Sequence, residues 1–191
     1  MQKAKSSSAY KGTVTVKIKN KNKVKKVVKG KNTGCKLLFR SIALALAGYA
    51  LQDNVPTYMT IVNEDNNHKP NYSAYSLPVP VTGRSFGQDS NGDWFCRITA
   101  TIPKANFRTD WTTTPYYAVL LNGKTTSTVS EEVNVLAYIK LENKETTPVT
   151  PIDILQMENG SSLVIEWNLY VQNYETIKER EESAQQAQNN S

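Results

Sequence analysis

Histidine and cysteine are nearly absent from this 191-residue chain: His68 stands alone, and Cys35 and Cys96 are the two thiols. A structural zinc site takes four ligands of these types, and the supply falls short at any workable spacing. Two cysteines in a chain of this length make no disulfide scaffold. Cys35 stands at an expected helix start, where a thiolate gains some favour. With no base nearby in sequence, both thiols are nevertheless expected to be buried and unreactive. The phosphate-cradling patterns GxxxxGK[ST] and GxGxxG are missing, as is the GxSxG nucleophile elbow. Asp89, Asn91 and Asp93 share the spacing that opens a calcium loop. Trp94 and Ala100 stand where an EF-hand requires glycine and glutamate, so a tight turn explains the trio better. His68, in a polar loop, and the adjacent acids Glu131 and Glu132 read as solvated groups rather than as acid-base machinery. The expectation is a chain that is no enzyme, with no catalytic residues, no metal and no cofactor.

Long apolar runs are lacking too. The strongest candidate, residues 37–47 (LLFRSIALALA), is interrupted by Arg40 and is too short to cross a bilayer. It follows a lysine-rich stretch and ends in small residues, as a secretory signal does. More than thirty residues with strand-like patterning precede it, which argues against that reading. Hydrophobic residues make up 39% of the chain, somewhat below the usual globular share. That deficit points to polar extensions beside one ordinary core, and a chain of this size buries roughly 70% of its unfolded surface without needing staples.

Negative charge is missing from the first quarter. Residues 1–52 hold twelve lysines and Arg40 and no acid before Asp53, a charge of +13. The other 139 residues hold 10 basic and 17 acidic side chains and carry −7. Such a split suits a solvated face, or a basic patch for nucleic acid or for an acidic protein surface. Arginine is absent from the first 38 residues and Tyr10 is their sole aromatic, so any nucleic-acid contact there is expected to be nonspecific.

What the chain has in abundance is β-forming residues. Val14, Val16 and Ile18 alternate with Thr15, Lys17 and Lys19, the period-2 signal of a half-buried strand. A turn over 20–23 and a second strand over 24–29 complete a hairpin whose lysines guard an exposed edge. Asn32, Thr33 and Gly34 fit the start of a helix over about 35–47, which Gly48 is placed to end. Apolar residues surround most of that helix, so it is expected to be largely buried. Further strands are expected over 57–62, 94–102, 116–121, 133–141 and 163–171, with an extended edge over 77–81. Residues 63–71 and 87–93 read as loop and turn, and 107–114 as a loop holding Trp111 at the surface. The fold class expected is mainly β: a single β-sandwich-like domain over 12–173 with an N-terminal lysine-rich hairpin and one buried helix. A flexible basic arm (1–11) and a charged polar tail (174–191), with a short helix near 179–182, flank it.

The stretches TVTVKIKNKNKVKKVVKGKNTG, LLFRSIALALAG and ILQMENGSSLVIEWNLYVQN stand in an order that resembles small virion structural proteins of tailed bacteriophages, among them capsid, neck or tail components of gut podovirus-like phages. The resemblance spans about 12–173. It implies a multi-copy structural protein of the virion, assembled in the host cytoplasm, with copies of itself and other virion proteins as partners and no membrane. Extended arms and exposed strand edges serve such assembly. Two other readings stand beside it. One is a nonspecific nucleic-acid-binding module using the basic segment. The other is a carbohydrate-binding β-sandwich in which Trp94, Trp111, Tyr72 and Tyr75 supply stacking faces. Lys17, Lys19, Lys21, Lys23, Lys25 and Lys26 are the candidate assembly or phosphate-contacting surface. Exchanging these six for glutamine is expected to leave thermal melting nearly unchanged, within about 0.5 kcal/mol per site, while weakening self-association or nucleic-acid binding. A large fall in melting temperature with association intact would assign them to the fold instead.

Overall fold

The computed structural model describes residues 10–20, 23–31, 33–48, 56–90, 92–111, 115–123, 129–131, 133–143 and 146–171. The lysine-rich hairpin is β1 (Tyr10–Asn20) and β2 (Lys23–Lys31), so β1 begins two residues ahead of the expected domain start. A short β3 (Thr33–Gly34) precedes α1 (Lys36–Leu46). Then come β4 (Tyr58–Glu64), β5 (Pro70–Tyr75), β6 (Val79–Pro80), β7 (Gly83–Gln88) and β8 (Trp94–Pro103). After a 3-10 turn at Lys104–Asn106 follow β9 (Tyr116–Leu121), β10 (Val135–Lys140), β11 (Glu142–Asn143), β12 (Thr150–Pro151) and β13 (Ser161–Val171). The arm over 1–9 and the tail from 172, with its expected helix, lie outside the described residues.

Two antiparallel sheets form the body. The first runs β2-β1-β13-β8-β7. The second runs β3-β10-β9-β4-β5, with β6 also on β4. In the first sheet β13 lies between β1 and β8 in unbroken register: Val16 opposite Ile165 opposite Ala100, and Val14 opposite Trp167 opposite Ile98. Successive side chains of a strand point to opposite faces. This register therefore gathers Val14, Val16, Leu163, Ile165, Trp167, Ile98, Ala100 and Ile102 on one inner face, all essentially inaccessible to water. They pack against Met59, Ile61, Ala118, Leu120, Ala137 and Ile139 from the second sheet.

The middle of the second sheet is buried on both faces. All six residues of β9 are buried, which is why YYAVLL reads as a continuous apolar run without alternation. On its far side Val62, Tyr117, Val119, Leu121 and Val135 form a smaller cluster with Cys35 and Val129, with Tyr58, Tyr72, Tyr75 and Tyr138 against it. Gly30 marks a close approach between the sheets: a Cβ there would stand 2.7 Å from Ile139 Cδ1.

Helix α1 starts one residue after Cys35, whose N–H donates to the Leu136 carbonyl of β10 (2.8 Å). Thr33 and Gly34, expected to cap the helix, instead pair with β10. Gly48 ends it with a φ of +79°, as the sequence suggested. The helix is not buried all round. Leu38 and Ser41 are buried, while Lys36, Phe39, Arg40 and Ala43 are exposed. The facing sheets already fill the core, so the helix contributes one stripe to its rim. No helix among the described residues is long and apolar enough to cross a membrane.

Three further expectations are corrected. Trp111 is buried, with its ring 5.2 Å from Tyr116 and 6.4 Å from Phe107. The exposed Arg108–Asp110 pair, with Nε to Oδ1 at 2.8 Å, lies in the turn just before it. Cys96 is exposed, because the inner face of β8 runs past the end of its cover. Strands β5 and β7 (PNYSAY and GRSFGQ) lie where loop, turn or no element was expected. Both are edge strands carrying proline or glycine and no apolar alternation, so local pattern cannot reveal them.

Because β13 has neighbours on both sides and its inner side chains are fully buried, Ile165→Ala is expected to cost about 2–5 kcal/mol. Glu166→Gln, on the opposite face, is expected to cost at most about 1 kcal/mol. Urea unfolding followed by circular dichroism distinguishes the two. A larger cost for Glu166→Gln than for Ile165→Ala would mean that the inner and outer faces have been exchanged.

Candidate assembly surfaces

The structure does not place the lysines of the hairpin on one surface. Lys17 lies on the outer face of the first sheet and forms an ion pair with Glu166, both side chains about a quarter exposed (29% and 26%). Such a pair is worth at most about 1 kcal/mol, so Lys17 is tied to the fold only weakly. A register shift follows Ile18, after which Lys19 stands opposite Val24. Lys23 and Lys25 are exposed. Lys25 lines a recess of about 200 Å³ with Asp153 and Glu158, acids of the segment leading into β13. Lys26 stands opposite Ile18 and is half-buried, on the inner side of the hairpin. Lys21 lies outside the described residues. Of the β2 lysines, Lys25 thus shares a recess with two acids of the same chain.

The other edge of this sheet is different in kind. Among the described residues β7 pairs with β8 alone, leaving its second side open. Phe86 of β7 and Trp94 of β8 project from the inner face beyond the reach of the second sheet. Their rings stack with centroids 6.4 Å apart and planes inclined by 28°. They are 82% and 55% exposed. Arg84, two residues from Phe86 on the same face, donates from Nη2 to the Pro56 carbonyl at 2.5 Å, which holds the strand against the body. Below the pair, the turn between β7 and β8 closes through the Gly92 N–H to the Asp89 carbonyl and the Asp93 N–H to Asp89 Oδ1, both 3.0 Å. The acid-rich run is a tight turn, as its sequence indicated.

Of the aromatics considered for stacking, Trp94 alone is exposed. Trp111 is core, and Tyr72 and Tyr75 are half-buried on the second sheet. The Tyr72 hydroxyl donates to Glu131 at 3.0 Å. Burial, reinforced by that carboxylate, holds the Tyr72 phenol well above its ordinary range. Cys35 lies in the same cluster, and burial together with Glu131 pushes its thiol up to about 12. Its place before α1 therefore does not yield a thiolate: loss of hydration and a nearby negative charge outweigh the helix terminus.

His68 is exposed and in the left-handed region (φ +59°), with Nδ1 2.5 Å from Glu64 Oε1. Glu64 also meets the Lys140 ammonium at 3.0 Å, and Lys140 reaches Glu142 at 3.2 Å. Burial by itself would lower the Lys140 ammonium, but the hydrogen bonds to Glu64 and Glu142 hold it above its ordinary value. This arrangement joins β4 to β10 and β11 by charge pairing. Among the described residues no three metal-binding side chains come together.

No family model, curated protein or solved structure matches the chain.

The two thiols are expected to differ in reactivity. At pH 8 an aromatic disulfide reagent should label Cys96 in the native protein and reach Cys35 only after unfolding. The unfolded chain releases the Cys35 proton from about pH 9 while the folded chain keeps it to about 12, so this group withdraws stability as pH rises across that window. Prompt labelling of both thiols in the native state would show that the start of α1 opens.

Proposed function

We propose that this chain is a non-catalytic structural subunit of a tailed-phage virion that joins a second copy of itself through the β7 edge of its five-stranded sheet. The observation that carries the assembly reading is the stacked Phe86–Trp94 pair standing exposed beside an open strand edge. An edge strand presents a row of unpaired backbone groups, and folded proteins usually blunt such edges with charge or a covering element. Lysines do this along β2. Strand β7 carries instead a large apolar ring, Phe86, which is 82% exposed. Two β7 strands in antiparallel contact would continue the sheet across a two-fold axis and bring both aromatic pairs together, a self-complementary contact. The assignment to a virion is supported by the order of the lysine hairpin, helix and closing strand in the sequence.

Sedimentation of the purified full-length chain tests the contact. An oligomer is expected, and Phe86→Ser combined with Trp94→Ser is expected to shift it toward monomer with little change in melting. A wild-type protein that stays monomeric at high concentration removes the proposed edge contact. Absence of the chain from the mass spectrum of purified particles removes the virion assignment.

A further inference from the structure

We infer that the outer face of the five-stranded sheet holds a binding site for a carboxylate-bearing oligosaccharide. The face lies opposite the one that carries Phe86 and Trp94, and the inference does not rest on the assembly reading. A trough of about 660 Å³ crosses β2, β1 and β13 there, lined by Thr13, Thr15, Lys29, Asn168 and Tyr170 with the backbone around Val14 and Gly30. Its size lies within the range of about 300–1,000 Å³ usual for small-ligand sites.

The strand register builds it. Thr13 stands opposite Asn168, and Thr15 stands opposite both Glu166 and Lys29. Tyr170 follows two residues after Asn168 on the same face, its ring 5.5 Å from that of Phe95. Arg97 of β8 lies 5.2 Å over the Phe95 ring and donates from Nε to Asn168 Oδ1 at 3.0 Å. That bond occupies the Asn168 carbonyl side and turns its amide hydrogens toward other acceptors.

These groups suit a sugar for separate reasons. Threonine hydroxyls both donate and accept, as sugar hydroxyls require, while the Asn168 amide donates. Tyr170 offers an aromatic surface with a polar end. Lys29 supplies the charge. It is exposed and has no acidic partner among the described residues, whereas the neighbouring Lys17 is matched by Glu166. A carboxylate on the ligand complements this cation. A polynucleotide fits less well, because phosphate binding draws on several cations along the strand. Among the described side chains the trough lining has one, Lys29, and Arg97 is already engaged with Phe95 and Asn168.

The test is a glycan array of uronic-acid and sialic-acid oligosaccharides with neutral counterparts, followed by calorimetric titration of trigalacturonate, maltotriose and an oligothymidylate into the full-length protein. Acidic glycans should be retained above neutral ones. Lys29→Gln should weaken the best acidic ligand about tenfold, Tyr170→Ala should weaken it also, and Phe86→Ser should leave it unchanged. Retention of no acidic glycan above the neutral set overturns the proposal, as does undiminished binding by Lys29→Gln. Oligothymidylate binding more tightly than any acidic glycan also overturns it. Sedimentation of the same variants keeps the two proposals apart, since loss of glycan binding leaves the oligomer intact.

Discussion

Strand β13 lies in register between β1 and β8, and its alternate side chains Leu163, Ile165 and Trp167 are removed from water against the second sheet. Burying each such side chain is worth roughly 1.5–3 kcal/mol, and slipping the register by one residue would turn Val164, Glu166 and Asn168 inward instead. A charge and an amide would then need partners in an apolar layer, at a cost that no local adjustment offsets. This requirement brings the last strand of the described chain beside the first. It also fixes which side chains of β1 and β8 face inward.

Both surfaces discussed above follow from that constraint. With β13 in the middle, the hairpin β1–β2 and the hairpin β7–β8 lie outside it, and among the described residues each ends in an open edge. The edges are managed differently: lysines accompany β2, while β7 leaves Phe86 and Trp94 exposed. The same alternation that fills the core places Thr13, Thr15, Lys29, Asn168 and Tyr170 together on the outer face, although they come from opposite ends of the chain. A polar trough and an apolar ledge thus occupy opposite faces of one sheet.

The second sheet supports this arrangement from behind. Its central strand β9 has no wet face, and β4 beside it buries Thr60, whose hydroxyl donates to the Ser76 carbonyl at 2.8 Å. The Ser76 hydroxyl accepts the Ile61 N–H at 2.9 Å where the β4–β5 ladder is irregular. Buried polar groups satisfied in this way permit an irregular ladder inside a core without the penalty of unpaired donors. The charge cluster of Glu64, Lys140 and Glu142 spans the same strands near the surface.

By itself the sequence determined the elements whose residues alternate or run apolar: β1, β2, β4, β8, β9, β10 and β13, and a helix ending at Gly48. These signals are local, since a side chain's period along the chain follows from backbone geometry alone. It also determined that the acids around Asp89 make a turn. Tertiary structure decided the rest. Strands β5 and β7 exist because a neighbouring strand supplies hydrogen bonds, not because their residues prefer extension. Trp111 is core and Trp94 is surface because the second sheet covers one and stops short of the other, and Cys96 is exposed for the same reason. The described lysines of the hairpin, close in sequence, were parted by a register shift and by the two faces of the strands, and Lys17 was paired with an acid 149 residues away. The trough residues were legible only once β13 lay beside β1, because contacts between distant segments depend on which strands pair, and pairing is set by burial over the whole sheet.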